Sequence, residues 1–106
     1  MPSPTPRHEL PEIDAAALEA ARACDHALAA ARAFGIDRWA TYLSPFPERL
    51  RDDPLPSLRQ SGRQIRAAYG PKDSIRDALP ADATEPLLDA VDRLLKVIAR
   101  HEMHRG

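Results

Sequence analysis

The stretch TEPLLDAVDRLLKVIARHEM, residues 84–103, carries the most regular pattern in the chain. Leu87, Val91, Leu94 and Ile98 recur at the alternating four- and three-residue step that puts side chains on one face of a helix, with Leu88 and Leu95 beside them. Ala90 and Val97 widen the apolar arc to about half the circumference, more than the usual stripe. Asp89–Arg93 and Asp92–Lys96 stand at i,i+4 in the favourable orientation on the far face. Thr84 or Asp82 is the expected N-cap, with Pro86 in the first turn. A helix with so wide an arc belongs at the centre of a core, or shares its arc between the core and a partner.

A second long helix is expected over about 12–34. Ile13, Ala17, Ala20, Cys24, Ala27, Ala31 and Phe34 form one stripe, while Glu19, Arg22, Asp25 and His26 fall outside it. The stripe is mostly alanine, and small residues let another helix approach closely. Gly35 stands where a helix-ending glycine belongs, with apolar Ile36 after it.

The segments between are punctuated by proline. Asp37 is expected to cap a short helix through Leu43, and Ser44 with Pro45 to open another that ends near Pro54. A basic helix over about 57–69 shows Leu58, Gly62, Ile65 and Tyr69 on one stripe, where Gly62 predicts the close approach of another backbone. Gly70 and Pro71 stop it, Ser74 and Asp77 make a capping box for a short segment, and Pro80 closes that segment. Pro2, Pro4 and Pro6 predict an extended or disordered tail over 1–10, leaving 11–106 as a single helical domain. With only two Val, five Ile and three Thr, and no sustained alternation, nothing supports a strand. The fold class expected is all-α: a small bundle-like domain with two long helices, a basic helix and short connecting helices.

Composition narrows the function classes. Fifteen basic and sixteen acidic residues leave a net charge of -1, so there is no global field for a polyanion or an anionic membrane. No run approaches the ~18 apolar residues of a membrane span. A single cysteine and no signal-peptide pattern suggest a cytoplasmic protein. No glycine-rich phosphate loop, nucleophile elbow or other cofactor motif is visible, so no cofactor is expected and an enzyme has no positive support.

Four features are candidates for function. Arg59, Arg63 and Arg66 share a face of the basic helix, with Lys72 beyond, and 57–72 contains no acid. Guanidinium groups suit phosphate or carboxylate, so this is a candidate anion-binding face, unless its charges pair with Asp52, Asp53, Asp73 or Asp77. Ala31, Phe34, Gly35 and Ile36 resemble the turn of a helix-turn-helix motif, with Arg38, Trp39 and Thr41 on the following helix; the polar Thr41 and Ser44 and the early Pro45 depart from that pattern. His101 and His104, three apart, would need further ligands such as Glu102 or His8 to hold a metal. Trp39, Tyr42 and Phe46 either cover the end of the core or form an exposed anchor for a partner. Cys24, on the alanine stripe, is expected to be buried and inert.

Together these point to a non-catalytic protein-interaction module (an accessory subunit, adaptor or regulator) whose partner is another protein or a second copy. Self-association through the last helix would be weakened by Val91→Glu. The alternatives are a nucleic-acid-binding regulator using the arginine face, and a metal-dependent enzyme or sensor using the C-terminal histidines.

Overall fold

A computed structural model describes residues 5–105, with side chains from 5 to 103. A 3-10 turn, Arg7–Glu9, leads into six helices: α1 Pro11–Ala33, α2 Asp37–Leu43, α3 Phe46–Asp52, α4 Leu55–Ala67, α5 Ile75–Ala78 and α6 Ala81–Arg105. No strand occurs among the described residues. The molecule measures 44 × 24 × 22 Å. Its long axis matches two helices of 23 and 25 residues, since a helix rises about 1.5 Å per residue.

The two long helices pack antiparallel. Ala17, Ala20, Cys24, Ala27 and Ala31 of α1 are fully buried, as are Leu87, Val91 and Leu94 of α6. Small side chains on α1 thus receive the large ones of α6, which lets the two helices approach closely. Phe34 departs from the expected stripe and is 62% exposed. The helix ends there: Gly35 adopts φ +67, its N–H donates to Arg32 O at 3.1 Å, and Ile36 N–H donates to Ala31 O at 2.8 Å. This double closure carries the backbone off the helical path, so Ile36 packs against the core in place of Phe34.

The helix starts rely on proline more than on capping side chains. Pro11, Pro47 and Pro56 stand in the first turns of α1, α3 and α4, and none of those helices has a side-chain cap. A first-turn N–H has no helical acceptor, so proline loses nothing there and its fixed φ suits the turn. For this reason α4 begins at Leu55, two residues before its expected start. Asp37 is the first residue of α2 without capping it, and Ser44 Oγ donates to Thr41 O at 3.0 Å instead of opening α3. The Ser74–Asp77 capping box does form, Ser74 N–H donating to Asp77 Oδ2 at 3.3 Å.

α6 begins at Ala81, earlier than the pattern suggests, so Pro86 lies in its second turn. Thr84 is buried and does not cap; its hydroxyl donates to Pro80 O at 3.3 Å. Tyr69 Oη donates to Thr84 O at 2.7 Å, tying the end of α4 to the start of α6.

Of the segment expected to be extended, residues 1–4 lie outside the described residues. Arg7–Glu9 are helical instead, and Leu10 is buried. Arg7 is the reason: its guanidinium pairs with Asp14 at 2.9 Å and donates to Asp53 O at 3.4 Å, pinning the segment between α1 and the end of α3.

Gly62 does meet a close neighbour, but a side chain and not a backbone. A Cβ built there would stand 3.0 Å from Leu95 Cδ2 on α6. Gly62→Val is expected to destabilise the protein by about 1–3 kcal/mol in urea unfolding, because Leu95 has to be displaced. Gly35→Ala has open space around it and is expected to lose only about 1 kcal/mol, from backbone strain at positive φ. An equal loss at the two sites would contradict this distinction.

Candidate functional site

The centre of the wide arc of α6 is used within one chain, while Ala90 and Val97 at its edge border open surface. α1 packs on one side and α4 on the other, leaving Leu87, Val91, Leu94 and Ile98 at most 1% exposed. Val91→Glu would therefore bury a carboxylate in the core, so it is a test of folding and not of an interface.

The arginine face is brought together on α4 but turned largely toward α6. Arg66 Nε pairs with Asp92 Oδ1 at 3.0 Å, and Arg59 pairs with Glu102. The acids expected to balance this face, Asp52, Asp53, Asp73 and Asp77, are not the partners found. Asp92, read as a partner of Lys96, serves Arg66 instead. Arg63 is exposed beside the cleft formed with Leu95 and Ala99, and Lys72 is exposed in the turn after α4.

The aromatic segment closes one end of the core. Trp39 is 5% exposed and Phe46 is buried. Tyr42 links them, edge-to-face with Trp39 at 5.4 Å and tilted on Phe46 at 5.8 Å. Its hydroxyl donates to Gln64 O near the end of α4, a carbonyl that the shortened last turn leaves free because Ala68 N–H bonds Ile65 O. Trp39 and Tyr42 thus hold α2, α3 and α4 together. With only seven residues and Trp39 buried, α2 offers no recognition helix of the helix-turn-helix kind.

No three His, Cys, Asp or Glu side chains among the described residues stand close enough to share a metal ion. The His104 side chain lies outside the described residues. Cys24 is buried, with Sγ 4.0 Å from Leu43 O. Burial pushes its thiol from 9.0 up to about 12; Asp25 adds to the rise and Arg51 opposes it. Such a thiol stays protonated at neutral pH, and the thiolate is the reactive form. No helix among the described residues is long and apolar enough to cross a membrane.

Among the open clefts is a groove along the outer side of the α1–α6 pair. At one end it widens into a cavity of about 370 Å³ lined by Leu10, Ile13, Val97 and the polar Glu12, Arg100 and His101. Next to it a second hollow of about 210 Å³ runs between Ala15, Ala16 and Glu19 of α1 and Ala90 and Arg93 of α6. The two share Glu12 and Val97, so they adjoin along one side of the helix pair. The lining of the groove is apolar, with alanines in the narrower part and Leu10, Ile13 and Val97 in the wider. One wall carries carboxylates and the other carries guanidinium groups. Among the described residues, Glu12, Arg93 and Arg100 have no ion-pair partner within 4.0 Å; Glu19 pairs at 2.7 Å with Arg22 on the exposed surface of α1.

Pattern reading missed this site. Local spacing offers Arg93 only Asp89 and leaves Glu19 outside the buried stripe. The signal present in the sequence is a shared spacing, Glu12 to Glu19 and Arg93 to Arg100, but only the antiparallel pairing sets one against the other.

In comparisons with known proteins, no family model matches the chain, and no curated protein or solved structure matches it.

The buried titratable groups predict alkaline lability. Folded Cys24 keeps its proton up to about 12, whereas the unfolded thiol releases it from about 9. Proton loss therefore favours the unfolded chain, and stability is expected to fall across that window. Tyr69 is pushed up chiefly by burial, with Glu85 adding to the rise, so it contributes from above its ordinary 10.0. In chemical denaturation at stepped pH, Cys24→Ala and Tyr69→Phe should each flatten the alkaline decline. Wild-type slopes in both variants would show that these groups are not its source.

Proposed function

We propose that this protein is a non-catalytic protein-interaction module that docks its partner in the groove between α1 and α6. The observation that carries the reading is the groove itself: an apolar lining, alanines at one end and Leu10, Ile13 and Val97 at the other, between two walls of opposite charge. The alanines admit a helix or loop at close range, and charged rims fix its register and speed its encounter. The other charged surface has less capacity for a partner. Two of the three arginines on α4 already face carboxylates of the same chain, which supports the nucleic-acid alternative less well. The buried thiol suits a reducing compartment such as the cytoplasm.

The test is site-specific photo-crosslinking in the native host. A photoreactive residue at Ala15, exposed in the groove, is compared with one at Glu48, exposed on α3. A discrete protein adduct is expected at Ala15 and none at Glu48. Equal labelling at the two positions, or none at Ala15, would remove the groove as the docking face.

A further inference from the structure

We infer that the occupant of this groove is a second copy of the chain, held in one defined two-fold arrangement. The inference rests on the reading of the groove as a docking face and names its partner. Glu12 and Glu19 are seven residues apart on α1, as are Arg93 and Arg100 on α6. Seven residues span two turns, about 10.5 Å at 1.5 Å per residue, so each pair presents one face at the same pitch. Because the helices run antiparallel, Arg100 stands at the level of Glu12, and Arg93 at the level of Glu19, on opposite walls.

Two copies meeting face to face over this groove have two simple choices of two-fold axis. An axis across the groove would lay α1 on the partner's α1 in reverse. Glu12 would then face the partner's Glu19, and Arg93 the partner's Arg100. An axis along the groove lays α1 on the partner's α6. Glu12 then faces the partner's Arg100, Glu19 faces the partner's Arg93, and symmetry repeats both contacts. The charge pattern selects the second. The product is a four-helix arrangement of α1, α6 and their copies, in which the small residues Ala15, Ala16 and Ala90 allow close approach. The Glu19–Arg22 contact lies on the exposed surface, where such a pair is weak and readily exchanged for another.

The experiment is sedimentation equilibrium on the purified full chain at low and high salt. The wild type is expected to dimerise, more weakly as salt rises. Glu12→Arg with Glu19→Arg, and separately Arg93→Glu with Arg100→Glu, should each raise the dimer Kd by at least about tenfold. Mixing the two reversed proteins should restore dimerisation, since every facing pair is again opposite in charge. All four positions are exposed, and unchanged circular dichroism and melting confirm folded variants. Recovery on mixing also excludes misfolding as the cause of the loss. A wild-type chain that stays monomeric up to roughly 1 mM at low salt overturns the inference, as does a dimer indifferent to both reversals. These failures differ from failure of the docking reading: a monomer that still crosslinks through Ala15 to a different protein keeps the groove and loses only the second copy.

Discussion

The antiparallel packing of α1 on α6 is the constraint on which the rest of the molecule depends. α1 brings a seam of alanines and one cysteine; α6 brings leucine, valine and isoleucine. Neither face is stable in water alone, and each complements the other in volume. Close approach puts many weak dispersion contacts into a small interface, so the pair is stabilised by fit as well as by apolar area. The shorter helices are arranged on this pair. α4 takes the second side of α6, α2 and α3 lie against α1, and α5 bridges the turn back to α6.

Several polar groups then hold the peripheral elements where the chain itself does not. Tyr42 and Tyr69 each donate a hydroxyl to a main-chain carbonyl on another element, at Gln64 and Thr84. Arg7 joins the N-terminal turn to Asp14 and Asp53, and Arg51 joins α3 to Asp25 of α1. Arg76 and Glu85 pair across the turn between α5 and α6, with a guanidinium–carboxylate distance of 2.9 Å. Exposed pairs of this kind contribute modestly to stability. Each of them joins two elements of the fold.

The same choices divide the charged surface into used and unused parts. Arg59 and Arg66 on α4 meet carboxylates on α6, so most of that face serves the fold. On the other side of α6, Arg93 and Arg100 point along an open groove opposite the carboxylates of α1. Opposite charge on two walls of one groove is self-complementary under a two-fold rotation along it. A surface feature that does little for the monomer thus has the symmetry that the proposed dimer requires.

The sequence by itself determined which segments are helical and which faces they bury. Periodicity and composition are local properties, and they located the stripes of α1, α4 and α6, the glycine stop at Gly35 and the capping box at Ser74. Local spacing reached its limit at Phe34, where the helix terminates and the stripe no longer applies, and at the start of α4, where Pro56 stands in the first turn of a helix that begins two residues ahead of the pattern. Only the tertiary structure decided the charges. An arginine at i,i+4 from an acid has that neighbour as one candidate among several, and a helix packed alongside can present a better-placed one, as Asp92 does for Arg66 and Glu102 for Arg59. It also decided that the centre of the broad arc of α6 faces two helices of its own chain, that Trp39 and Tyr42 close the core, and that Glu12 and Arg100 share one groove. The physical reason is the same in each case: burial on one helix is set by its own periodicity, whereas the identity of a contact is set by which segments, distant in sequence, pack side by side.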